Sequence, residues 1–333
     1  MKSASGTTKT FSINEAVRRE AIDLFRGFAI LLMVLANFLT GVENLPAWMK
    51  HAPGVGLTIV DLIAPFFIFA IALTYRTSWQ RRCQRDGAKG SAEHFFERYV
   101  AIAGIGFFLT ILDVYIEGAV WREPWGVLQA IGAAGLLTLP VIALSWPLRL
   151  IAGLGVLGVY QFLLQSRWLE EVRNASHGGL RGSLGWGAML ILGTALADFY
   201  NDGDRSRRRF PLAACAFLGS GAILTVSIPM GKVWVSASYV LVSVGASGLA
   251  FQLFEYVSEN LRFRPAVLSA WGRNPLVLYL LHIVLLGGFV LPAAPGWYAR
   301  APAWLTALEA LALLGVLSIL GFIFQRKGWY CSL

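Results

Sequence analysis

The feature that most limits this chain is a series of apolar runs, each about twenty residues long, separated by short polar or charged stretches. A helix rises about 1.5 Å per residue, so roughly twenty residues cross the ~30 Å of hydrocarbon in a bilayer. Lipid offers no partner to an unpaired backbone group, which leaves helices and closed barrels as spanning structures; these runs lack the two-residue alternation of barrel strands. Composition agrees, with 56% of the 333 residues hydrophobic and 14% charged, against about a quarter charged in soluble domains. The sequence therefore reads as an all-α, polytopic integral membrane helix bundle.

Turn residues and charges bound the spans near 22–41, 57–76, 98–115, 126–144, 148–165, 186–200, 210–228, 237–256, 270–291 and 303–324. That predicts about ten transmembrane helices in one domain over 21–325. A cytoplasmic tail with a short interfacial helix precedes it over 1–20, and a second cytoplasmic tail follows over 326–333. The first run carries Asp23 and Arg26 and no small-residue cleavage site follows it, so it is expected to be retained. Basic residues mark the cytoplasmic side of short loops. With both termini inside (N-in/C-in), only Lys50, Arg122, Arg167, Arg173, Arg181, Lys232 and Arg300 of the 28 lysines and arginines fall outside. The expected location is a bacterial cytoplasmic (inner) membrane, multi-pass.

The formal net charge of +9 sits in short inner loops on this map, so it argues for topology and anionic membrane lipid rather than nucleic acid. Cys83, Cys215 and Cys331 fall in an inner loop, a span and the inner tail, with neither a disulfide framework nor metal-ligand spacing, and no metal is expected. A Gly-Lys-Ser/Thr phosphate loop and a Gly-x-Ser-x-Gly elbow are both missing, which argues against ATP-driven transport and serine hydrolysis. Trp121, Trp125, Trp168 and Trp186 read as an interfacial aromatic belt.

A charged or strongly polar side chain in a span costs free energy unless it is paired or hydrated, so each is a candidate for function. One group lies at the outer end of the first two spans: Asn37 near the end of the first, His51 in the connecting loop and Asp61 at the start of the second, with Gln129 at similar depth in the fourth. Histidine takes and returns a proton near neutral pH, and a carboxylate beside it fixes its tautomer. His51, Asp61 and Asn37 therefore read as general base, orienting acid and polar stabiliser. Each also has a structural reading, as surface histidine, helix-start acid and interhelical hydrogen bond. A second group lies at the inner face. Asp23 and Arg26 are spaced to pair on one helix, and Arg273 and Asn274 open the ninth span, with His282 eight residues further on. Two arginines at inner helix ends either snorkel to lipid phosphate or bind the phosphates of a cytosolic cofactor.

These residues carry a resemblance. Ala21 to Asn37, AIDLFRGFAILLMVLAN, followed by His51 to Phe69, HAPGVGLTIVDLIAPFFIF, closely resembles the catalytic domain of the heparan-alpha-glucosaminide N-acetyltransferase family and its bacterial relatives, within the wider transmembrane acyltransferase superfamily. Gly126-Val-Leu-Gln129 resembles the family's fourth-helix motif, and WGRNPLVLYLLH from Trp271 to His282 its late asparagine helix. The resemblance implies transfer of an acetyl group from cytosolic acetyl-CoA, the acyl donor, to a sugar amine or hydroxyl on the outer side, a sugar or polysaccharide being the acceptor. It implies that His51 is the catalytic histidine, with Asn37 and Asp61 beside it, and that Arg26, Gln129, Arg273, Asn274 and His282 serve the donor. Gly54 and Val55 stand where the family often has Trp-Asn, and Ala130 where an arginine is usual. Two other readings stay open: a non-catalytic subunit of a larger membrane complex, and a small-solute transporter. A homodimer or such a complex is the expected assembly.

Overall fold

The structure is a computed structural model that describes residues 4–117, 125–289 and 295–330. Trp121, Arg122 and Cys331 lie outside the described residues. The described residues are helical, without a strand: α1 (Ala4–Leu39), α2 (Ile63–Glu117), α3 (Val127–Thr138), α4 (Trp146–Leu163), α5 (Gly179–Asn201), α6 (Asp204–Leu224), α7 (Ala237–Glu259), α8 (Ala266–Arg273), α9 (Pro275–Phe289) and α10 (Ala303–Lys327), with short helical turns between some of them. Among the described residues, six segments are long and apolar enough to cross a membrane, or seven if α8 and α9, bent by 92°, form one broken span.

Each of the ten expected spans falls on a helix, but the helices are not equal. The second and third fall on α2, whose 55 residues contain a non-helical break at Gly87 (φ 73, ψ 172). Around that break the chain doubles back. Tyr75 stacks on Phe95 at 5.1 Å and lies 5.3 Å from Tyr99, whereas twenty residues along a straight helix would separate them by about 30 Å. The fourth falls on α3, which has only 12 residues; its apolar run continues into a turn over 139–144, which hydropathy alone does not separate from helix. The seventh falls on α6, whose 21 residues are long enough to span but which opens with Arg205, Arg207, Arg208 and Arg209 and lacks the apolar composition of a spanning helix.

The chain divides into two compact units, one made of residues 1–46 with 249–332 and the other of 47–248. In the second, α5 is central and packs against α2, α3, α4 and α6. Its buried face is rich in small residues (Gly182, Ser183, Gly185, Gly187, Ala188), which lets neighbouring backbones come close where lipid supplies no hydrophobic drive. Arg149 of α4, fully buried, and Arg76 of α2 converge on Asp198 of α5; the Arg76 Nε contact is 3.2 Å. A buried guanidinium persists only when such a partner is present. Trp186, expected in the interfacial belt, is instead 1% exposed and donates from Nε1 to His177 O at 3.0 Å.

In the first unit α1 packs against α8 and α9, and α10 against the same pair. The α1–α8 contact is close enough to exclude any side chain: a Cβ on Gly27 would lie 1.9 Å from Leu268 O, and one on Gly272 would lie 1.9 Å from Asp23 O. Phe25 meets Phe251 edge-on at 6.0 Å, and Phe38 meets Tyr298 at 5.3 Å.

Candidate active site

Asp61 organises the loop before α2. The carboxylate stands three residues after Thr58, at the start of a short helical turn, where a helix beginning leaves backbone N–H groups unpaired. Its Oδ2 accepts from Thr58 N at 2.9 Å, Thr58 Oγ1 at 3.0 Å and Ala52 N at 3.2 Å. Its Oδ1 meets His51 Nδ1 at 2.7 Å. Tyr239 Oη donates to the Asp61 carbonyl oxygen at 2.7 Å. Asp61 is 1% exposed, while the His51 side chain is 49% exposed. A buried, fully bonded carboxylate thus holds an open imidazole by Nδ1 and leaves Nε2 turned away from it. In that geometry Nδ1 carries the proton that it donates to Asp61, and Nε2 is the lone pair available to a proton.

The loop carrying His51 is itself pinned. Gly56 N donates to Met230 O at 2.9 Å, and Gly54 and Gly56 adopt φ of 153 and 123, which side-chain-bearing residues rarely adopt. That tie brings in a residue that the sequence reading counted only as an outer basic one. Lys232 Nζ lies 3.1 Å from His51 Nδ1 and 3.2 Å from Nε2, and 3.9 Å from Asp61 Oδ1. Its side chain is 16% exposed. Burial draws the Lys232 ammonium down to about 8, although the Asp61 carboxylate pulls the other way.

The remaining candidates lie elsewhere. Gln129 is buried at the start of α3, where its Oε1 accepts from Gly126 N at 3.0 Å and its Nε2 donates to Thr110 Oγ1 at 2.7 Å; it closes a helix end. In the other unit, Asn37 Nδ2 meets His282 Nε2 at 2.9 Å, and the His282 ring is fully buried. Arg26 Nη1 donates to Gly272 O at 3.2 Å and lies 3.5 Å from Asp23 Oδ1. Arg273 Nε is 3.9 Å from Asp23 Oδ2, with its side chain 41% exposed. Asn274 is buried at the break between α8 and α9. The structure therefore joins His51 to Asp61 and Asn37 to His282, and gathers Arg26 and Arg273 at Asp23. Among the described residues, no group of three His, Cys, Asp or Glu side chains is placed to hold a metal ion.

Comparison with known proteins bears on this arrangement. The family described as "Heparan-alpha-glucosaminide N-acetyltransferase, catalytic" matches residues 18–225, well over half of the chain. The chain belongs to this family. It is 38% identical over 122 residues to the human heparan-alpha-glucosaminide N-acetyltransferase, a stretch that covers 34% of this chain and 17% of the human protein. To the mouse protein of the same name it is 36% identical over 76 residues, or 22% of this chain and 11% of that protein. The chain thus matches only a minor part of the length of either relative.

As a member of the family, with several long apolar helices, the chain is a multi-pass membrane protein. The family match takes in Arg26, Asn37, His51, Asp61 and Gln129 and stops short of Lys232, Arg273, Asn274 and His282. The backbone at Gly54 is one that any side-chain-bearing residue would strain.

Proposed function

We propose that the chain is a membrane-embedded acyltransferase that moves an acetyl group from cytosolic acetyl-CoA to a sugar amine or hydroxyl on the opposite face of the membrane. The observation that carries this reading is the 2.7 Å pair of His51 Nδ1 and Asp61 Oδ1, in which every other polar contact of the carboxylate is also satisfied. Such an acid does not wander, and the imidazole it holds offers Nε2 to a proton. His51 takes the proton of the attacking amine or hydroxyl, and the freed acceptor attacks the thioester carbon. As the carbon–sulfur bond breaks, the departing thiolate recovers that proton from His51.

The resemblance gives Asn37 the part of polar stabiliser, and its amide is already oriented by His282. Arg26 and Arg273, with Asn274, Gln129 and His282, serve the donor in the same reading. Both guanidinium groups meet Asp23, and the fork geometry of arginine suits phosphate.

The test is acetyl transfer from radiolabelled acetyl-CoA to amino sugars and hydroxyl sugars by the purified protein in nanodiscs. His51→Ala is expected to lower the rate by roughly 10²–10⁴-fold, the usual worth of a positioned acid–base group. Wild-type transfer by His51→Ala to every acceptor that the protein accepts would overturn the mechanism. Weaker acetyl-CoA binding in Arg26→Ala and Arg273→Ala, read by thermal shift, is expected on the donor side.

A further inference from the structure

Lys232 is held with more care than a loop lysine needs. It sits in a tight turn closed by Val235 N to Lys232 O at 3.1 Å and Ser236 N to Gly231 O at 3.1 Å, with Gly231 N donating to Ser236 Oγ at 3.1 Å. Tyr160 Oη donates to Trp234 O at 2.7 Å, and the Arg173 guanidinium lies 4.5 Å from the Trp234 ring. Within the turn the fully buried Val235 adopts φ 48. A β-branched residue there costs about 1–3 kcal/mol, and such strain persists only where the surroundings impose it.

What the turn presents is an unusual cation. The oxygens of Asp61 are taken by His51, Ala52 and Thr58, and Lys232 Nζ stays 3.9 Å from the nearer one, beyond hydrogen-bonding reach. Its close neighbours are instead the two nitrogens of the His51 ring. A largely buried ammonium against an imidazole is poorly compensated. It is, however, well placed for a negative charge that appears beside Nε2 only during reaction. Preorganised charge aimed at a transient anion is a large term in catalysis.

We propose that Lys232 is a second catalytic residue of the His51 site, its ammonium pairing with the oxyanion formed when the acceptor adds to the acyl carbonyl. The proposal rests on the acyl-transfer reading above. As the acceptor's proton moves to His51 Nε2 and the new bond forms, the carbonyl π pair moves to oxygen, and Lys232 faces that charge. When the carbonyl re-forms, the carbon–sulfur bond breaks and the thiolate takes its proton from His51. The lysine ends as it began, and no further reactant is consumed. Lys232 lies beyond the 18–225 family match, so the assignment comes from this chain's own geometry.

The ammonium must be charged to act. Asp61, His51 and His177 face it, and its charge is lost as pH rises through about 8. The experiment is the pH dependence of acetyl transfer between pH 6 and 10 for the wild type, K232R and K232M, each checked for monodispersity and thermal midpoint in detergent. The wild-type rate is expected to decline above about pH 8. K232M should lose roughly 10²–10³-fold in kcat with a smaller change in KM, whereas K232R should keep much of the rate and lose the decline. Carbon-13 reductive methylation, followed by NMR titration, reads the Lys232 ammonium without turnover and should show a midpoint near 8. Wild-type kcat and pH profile in K232M would overturn the proposal while leaving His51 in place. If the wild type itself transfers no acyl group, the acyl-transfer reading fails instead, and the Lys232 role fails with it.

Discussion

Two oxygens of Asp61 serve four donors, and this accounting fixes what a substitution must do. Asp61→Asn replaces one acceptor by an NH₂ group, which then faces either the imidazole or the Thr58–Ala52 backbone as donor against donor. Leaving such groups unpaired costs about 1–3 kcal/mol. The expected result is acetyl transfer lowered by at least about tenfold, together with a reduced thermal midpoint. The control is Thr58→Val, which removes one hydroxyl contact and should leave most of the rate. His51 and Asp61 were legible in the sequence because ten residues of loop and a helix start bring them together. Lys232 was not, because it is 181 positions from His51 and a single lysine in an outer loop looks like any other basic residue. The Asn37–His282 pair, 245 positions apart, was hidden for the same reason, although both residues stood out individually as polar groups in apolar runs.

At the scale of helices, the α1–α8 contact depends on two glycines facing each other's backbones. Gly27→Ala and Gly272→Ala each place a methyl group where a carbonyl oxygen already stands. Overpacking of this kind costs about 1–3 kcal/mol, to be read as a lower unfolding midpoint in detergent. Gly155→Ala of α4 meets no atom within 4 Å and should leave the midpoint unchanged or raise it slightly, since alanine is the better helix former. Hydropathy located the long apolar helices, because spans announce themselves by length and apolarity, although among the described residues six segments, or seven with the bent pair, have the length and composition to span where ten were expected. It placed the chain reversal between the spans ending at 76 and starting at 98 but read a loop there, where helix runs up to a break at Gly87, and it did not find the 92° bend at Asn274 inside one apolar run. Both are backbone events, set by one or two residues that barely alter a window average.

For the molecule as a whole, the proposed division of labour requires the His51 loop to face away from the cytosol. Val55, 65% exposed in that loop, offers a reporter. A membrane-impermeant maleimide should label Val55→Cys on intact cells, and Cys83 only after permeabilisation; the reverse pattern would put the proposed base on the donor side. The uneven basic residues are the sequence's argument for this orientation, and the motifs at Ala21–Asn37 and His51–Phe69 carried the family resemblance. It could not supply the partition into two units, because residues 1–46 join 249–332 only through contacts across most of the chain.

The distance along the chain between His51 and Lys232 also imposes an order of events. A ribosome finishes the His51–Asp61 pair early, while the lysine is still unmade, and the turn that carries it emerges only after α6. The growing polypeptide therefore passes through most of its insertion before Lys232 is made and before the Met230 and Tyr239 contacts that pin the His51–Asp61 loop can form, and the proposed chemistry becomes available only late in biogenesis.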